Sequence, residues 1–174
     1  MKKIVIYKSK TGFTKRYAEW IAEEIGCSCV SVKEITANSL ESYQTVIYGG
    51  GITAGSIGGL KKIKTMMAGF PDKKFIVFAT GATPVEVYKD KDQIRDANFT
   101  EEEKQRIPYF YFVSGINYDN MKLGGKLLMK LFRSMLSKKK DMTPEEQGMA
   151  DTIKHSVDHT DKKYITPLIQ CVKS

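Results

Sequence analysis

The chain has 174 residues, the size of one domain with room for a substantial core. It carries 28 Lys and Arg against 20 Asp and Glu, a formal net charge of +8, and no run approaches the roughly 20 apolar residues that span a bilayer. Basic domains bind nucleic acid, anionic lipid or acidic ligands. No helix-turn-helix, zinc-finger or RNA-recognition signature is present, so nucleic acid is not expected. Met1-Lys2-Lys3 precedes an apolar run that ends at Lys8, too short for a signal peptide, and a cytoplasmic protein is expected. Cys27, Cys29 and Cys171 lack the spacing of redox or zinc motifs and read as buried thiols in strand two and the last helix.

Ile4-Val5-Ile6-Tyr7 is β-branched and aromatic and reads as a buried strand. After Ser9-Lys10-Thr11-Gly12-Phe13-Thr14, the residues Tyr17, Ile21 and Ile25 recur every four positions with Ala18 and Ala22 beside them. That is a helix face, and Gly26 closes it. Between strand and helix lie hydroxyls and one glycine, with no acid. Such a loop gathers N–H and O–H donors where the helix dipole favours an anion, and its natural occupant is a phosphate monoester. The plainer reading has Thr11 or Thr14 capping the helix. The Gly-Lys-Ser/Thr ending of a P-loop and the Gly-x-Gly-x-x-Gly fingerprint are both missing here, which argues against ATP and NAD.

Cys29-Val30-Ser31-Val32 reads as strand two and Thr45-Val46-Ile47-Tyr48 as strand three, running into a glycine-rich loop at 49–55. Leu60, Ile63, Met67 and Phe70 form the next helix face, stopped by Gly69 and Pro71. Residues 75–79 are strand four, followed by Thr80-Gly81-Ala82-Thr83-Pro84. Thr100-Glu101-Glu102-Glu103 opens a helix with its acids at the N-terminal end. Tyr109-Phe110-Tyr111-Phe112-Val113 is strand five, ending at Ser114-Gly115. The alternation predicts an α/β fold with a parallel sheet. Ligands of such sheets bind beyond the carboxyl ends of the strands, where strand order reverses.

Ser9-x-Thr11-Gly12-x-Thr14 after strand one resembles the FMN phosphate loop of flavodoxins, and the resemblance extends over essentially the whole chain. It implies a flavodoxin-like, doubly wound, five-stranded parallel sheet in the order 2-1-3-4-5. It also implies one domain over 1–174 with a helical insertion after strand five, at about 116–150. By the same resemblance, FMN is bound non-covalently by Ser9, Lys10, Thr11, Gly12, Phe13 and Thr14. Gly50, Gly51, Ile52, Thr53 and Ala54 lie along one side of the isoalloxazine, and Thr80, Gly81, Ala82 and Thr83 approach the other. The only tryptophan, Trp20, sits in the first helix, where packing is expected; Tyr88 reads as either a ring contact or ordinary loop packing.

Segment 115–136 resembles the insertion of the flavodoxin-type, menaquinone-dependent protoporphyrinogen dehydrogenases, which carry a basic amphipathic helix here. His159-Thr160-Asp161 resembles the start of their last helix. The aromatic, arginine-rich run before the helix in that family is reduced to Asn117-Tyr118-Asp119-Asn120-Met121. Over 122–136, Lys122, Lys126, Lys130 and Arg133 share one sector of the helical wheel. Leu123, Leu127, Leu128, Leu131, Phe132, Met135 and Leu136 cover more than half of it. Such a helix packs on its own sheet edge or on a second copy in a homodimer, or it meets a hydrophobic substrate or membrane. In the last case 122–140, with Lys138-Lys139-Lys140, would place the protein peripherally on the inner membrane face. The polar run 138–148 reads as a mobile loop.

His155 and His159 have only Asp151, Asp158 and Asp161 nearby, and no metal is expected. No protein nucleophile or acid pair is expected either, so the chemistry falls to the cofactor. The expected function is an FMN-binding redox protein that passes electrons to a protein or small-molecule partner. One alternative is an oxidoreductase acting on a porphyrinogen with a quinone acceptor. The other is a domain without cofactor that only binds partners.

Overall fold

The computed structural model describes residues 2–83, 91–117, 124, 127, 130, 131, 134 and 156–174. In chain order they form β1 (Lys3–Lys8), α1 (Phe13–Ile25), β2 (Ser28–Ser31), β3 (Thr45–Thr53), β4 (Ser56–Ile57) and α2 (Leu60–Met67). Then come β5 (Lys74–Gly81), α3 (Lys91–Asn98), α4 (Glu101–Arg106), β6 (Tyr109–Val113), β7 (Gly115–Ile116), β8 (Val157–Asp158) and α5 (Thr166–Lys173). The sheet runs β2-β1-β3-β5-β6, all parallel, with the short β4 antiparallel to β3. Counted by its parallel strands alone, this is the doubly wound order 2-1-3-4-5, with the reversal between β1 and β3.

Both faces of the sheet are covered, so its central strands read as near-continuous apolar runs. On one face Ile4, Ile6, Val46, Tyr48 and Val77 pack with Leu60, Ile63 and Met67 of α2. On the other, Val5, Ile47, Ile76, Phe78 and Phe112 meet Tyr17 and Ile21 of α1 and Leu168 and Val172 of α5. The alternation of neighbours between the two layers is the period-two geometry of a strand. Trp20 packs at the edge of the second layer, edge-on to Tyr17 with ring centroids 5.3 Å apart. The three cysteines are free thiols, half-buried; burial, with Glu19 second, pushes Cys29 up to about 11.

Element ends follow their local chemistry. Gly26 adopts φ 64° at the end of α1, the left-handed conformation glycine takes without steric cost. Thr100 caps α4, accepting from the Glu103 N–H, while the Glu103 carboxylate accepts from the Thr100 N–H. Several lysines are spent on carbonyl oxygens left over at loops and helix ends. Lys62 donates to Val32 O at 3.3 Å, Lys73 to Tyr43 O at 2.6 Å and Lys74 to Cys171 O at 2.6 Å.

The chain divides into two compact units, one of residues 1–114 with 160–174 and one of 115–159. Within the first, the Tyr17 hydroxyl donates to Val113 O at 2.5 Å and accepts from the Asp161 N–H at 3.2 Å, joining the two points where the chain leaves and returns. In the second, β7 and β8 pair antiparallel with Gly115 opposite Asp158. Gly124, Leu127, Lys130, Leu131 and Ser134 are helical and exposed. The rest of the predicted 122–136 helix, the 138–148 loop, Tyr88 and His155 lie outside the described residues.

Lys64 of α2 donates to Glu103 at 2.5 Å and to Asn98 O at 2.9 Å, both ends of the ion pair being mostly buried. Burial raises the Glu103 carboxyl, but the bonds from Lys64 and Thr100 prevail and hold it below its ordinary value. A carboxylate depressed in the folded state adds stability above its unfolded pKa of about 4.3 and loses it as pH falls through the folded value. Lys64→Met is therefore expected to cost about 1–2 kcal/mol in urea unfolding at pH 7. The deficit should shrink below about pH 4, leaving the pH-independent bond to Asn98 O.

Candidate functional site

At the reversal point, the chain leaves β1 at Lys8 and turns through Ser9–Gly12 into α1. The Ser9 hydroxyl accepts from the Gly12 N–H at 3.1 Å, a local turn that sets the entry to the helix. Gly12 stands at φ 99°, where any other residue would be strained. It is the N-cap and brings no capping side chain to α1, and no acid stands in the first turn. Thr14 is the second residue of α1, past the cap position. Phe13 is buried in the core, while Lys10 and Gly12 are exposed.

The Thr14 side chain points inward instead. Its hydroxyl lies 2.8 Å from that of Thr80 at the end of β5, with both residues 4% exposed. Thr80 in turn is the register partner of Gly51 in β3. A hydroxyl pair spends one hydrogen between its members and keeps the other for a further acceptor. The start of α1 and the ends of β3 and β5 meet at this pair.

The glycine run differs from the loop read in the sequence: Gly49, Gly50 and Gly51 are strand residues of β3, and only Ala54 and Gly55 turn. The three glycines serve different neighbours. A Cβ on Gly49 would land inside the Phe78 ring. One on Gly50 would stand 2.7 Å from both Gly58 O and the Ile57 side chain. Among the described residues, one on Gly51 would meet only the Thr14 hydroxyl at 3.4 Å and the Thr80 hydroxyl at 3.8 Å, ordinary contacts. Packing among the described residues explains the first two glycines and does not explain the third.

Ile52 and Thr53 pair with Ile57 and Ser56 in a hairpin whose turn, Ala54-Gly55, has φ 47° and 77°. Positive φ at both central positions is the two-residue hairpin turn that matches strand twist. Beyond Thr80, Gly81 lies under the Tyr111 hydroxyl, which donates to Thr83 O at 2.7 Å, and Gly81 O accepts from the Ser114 N–H at 2.7 Å. Ala82 is exposed. Sequence reasoning missed Tyr111 and Asn98, whose amide bonds to the hairpin. Neither lies in a motif, and both act through contacts that only the tertiary structure creates.

The fold is a doubly wound α/β domain in which the Thr14–Thr80 hydroxyl pair lies beside the N-terminus of α1 at the carboxyl ends of β3 and β5, the end of such sheets where ligands bind. The chain belongs to the flavodoxin domain family, whose model matches residues 4–143. No curated protein matches it. Solved structures similar to it include a flavodoxin from the domain Archaea (18% identity, 89% of this chain and 100% of that one, TM-score 0.44). Others are oxidised Flavodoxin 2 from Bacillus cereus (17%, 64% and 84%, 0.46) and rubredoxin oxygen:oxidoreductase from Desulfovibrio gigas (14%, 99% and 37%, 0.42).

The glycine contacts make a stability prediction. Gly49→Ala and Gly50→Ala should each cost about 1–3 kcal/mol by overpacking. Gly51→Ala should fold within about 0.5 kcal/mol of the parent, as measured by urea unfolding of the three variants side by side.

Proposed function

We propose that the chain binds FMN non-covalently at the carboxyl ends of β1, β3 and β5 and serves as an electron-transfer flavoprotein. The observation that carries this reading is Gly51, a strand glycine whose missing side chain no neighbour among the described residues requires and which faces two buried hydroxyls. A flat ligand approaching the backbone requires that space. Ser9, Thr11, Thr14 and the first N–H groups of α1 would hold the phosphate, helped by the helix dipole. Gly51–Ala54 and Gly81–Thr83 would flank the ring. When bound, the flavin supplies the electron-transfer chemistry. The chain's own part is to bind and orient it, and the absence of an acid in the first turn of α1 keeps that end receptive to a dianion.

A second reading, an oxidoreductase resembling the protoporphyrinogen dehydrogenases with a quinone acceptor, draws on the 115–159 unit. Leu127 and Leu131, 60% and 56% exposed, lie four residues apart on one helix face next to Lys130. Exposed leucines beside a lysine suit a hydrophobic substrate or an anionic lipid surface. Among the described residues no helix is long and apolar enough to cross a membrane.

The purified protein should be yellow and release FMN on denaturation. Thr11→Val should weaken FMN roughly tenfold or more, the worth of a hydrogen bond to a charged group, and leave riboflavin unchanged. Gly51→Ala should weaken both, because it fills the ring side of the cleft. A colourless protein that ignores added FMN would favour the cofactor-free interaction domain.

The second reading has its own test. The protein should pellet with anionic vesicles at low salt, be released as salt rises, and lose this behaviour in Leu127→Gln/Leu131→Gln with its flavin intact. Vesicle-indifferent protein that dimerises through these leucines would leave electron transfer to a partner as the function.

A further inference from the structure

Asn98, the last residue of α3, reaches the 52–57 hairpin through its side chain. Its Oδ1 accepts from the Ile57 N–H at 2.9 Å, and its Nδ2 donates to Gly55 O at 2.7 Å and to Ile94 O at 2.8 Å. Both amide hydrogens are thereby used, and the orientation is unique, because a flipped amide would set Oδ1 against two carbonyl oxygens. The Ile57 N–H belongs to the outer edge of β4: Gly58 N bonds inward to Gly51 O, and hydrogen-bonding direction alternates along an antiparallel strand. Asn98 therefore closes the free edge of a strand only two residues long.

The hairpin it closes is strained. Ala54, at φ 47°, is the one non-glycine residue with positive φ among the described residues. Strain of this kind persists where surrounding contacts over-determine the backbone. Asn98 is itself well anchored. Lys64 Nζ donates to its carbonyl at 2.9 Å, and the next residue, Phe99, is 5% exposed in the core.

We propose that Asn98 is a positioning residue for the flavin site: its amide locks the 52–57 hairpin, strained turn included, and so sets the affinity and potential of a flavin beside Gly51–Ala54. This rests on the flavin reading above. The lock lies on the hairpin edge away from β3, so it acts on the ligand only through the backbone that it fixes.

Asn98→Asp is nearly isosteric but turns a second oxygen toward Gly55 O and Ile94 O, while Asn98→Ala removes the lock. Hydrogen exchange at the Ile57 amide, measured on flavin-free protein, is expected to speed at least tenfold in both variants. Flavin affinity should fall about tenfold, the scale of one or two lost hydrogen bonds, with a shifted midpoint potential. Ala54→Gly, which relieves the turn, should restore part of the affinity in the Asn98→Ala background. If Asn98→Asp does not fold, Asn98→Ala carries the same comparison. A wild-type protein that binds flavin, with Asn98 variants of unchanged affinity and potential, overturns the role of Asn98 alone. Failure of the wild-type protein to take up FMN overturns the flavin reading and this proposal with it.

Discussion

The ring of Phe78 lies where a side chain on Gly49 would be, and the approach of β5 to β3 depends on that contact. The two strands share one register, so the placement of Phe78 opposite Gly49 also sets Thr80 opposite Gly51. Thr80 then meets Thr14, and the hydroxyl pair fixes the first turn of α1 over the same spot. A buried hydroxyl left without a partner costs on the order of 1–3 kcal/mol, so the pair is strongly held. The hydroxyl pair beside Gly51 is thus a product of strand register.

The sheet and its order were legible because the strands are buried on both faces and carry dense β-branched and aromatic runs. The first βα unit was legible for the same reason, with Gly12 and Gly26 marking its ends. The glycine run was not. Read in one dimension, Gly49-Gly50-Gly51 is a loop signal; in the sheet, Phe78, Gly58 and Ile57 supply the packing that the glycines lack. Thr14 was read by its hydroxyl alone, and its partner 66 positions away lay beyond any local pattern. Asn98 left no trace at all, since an asparagine at a helix end ordinarily reads as a terminator.

The basic balance of the chain has a partly structural meaning. Lys62, Lys64, Lys73 and Lys74 each place an ammonium on a backbone carbonyl oxygen, where a neutral donor of that reach is not available. These bonds tie α2 to the stretch after β2 and to the end of α3, one loop to another, and β5 to the last helix. Each keeps its charge, since a carbonyl oxygen is neutral, but its position is fixed by the bond it makes.

The Tyr17 hydroxyl has a consequence for how such a chain can change. It bonds to Val113 and Asp161 at once, holding the stems of the 115–159 unit together from within the host domain. Gly115 and Asp158 then lie opposite one another as strand partners. The host does not need the inserted segment to bring its own ends together. The bonds that bring Val113 and Asp161 together thus belong to the first unit itself, and the length of the stretch between them does not enter into those contacts.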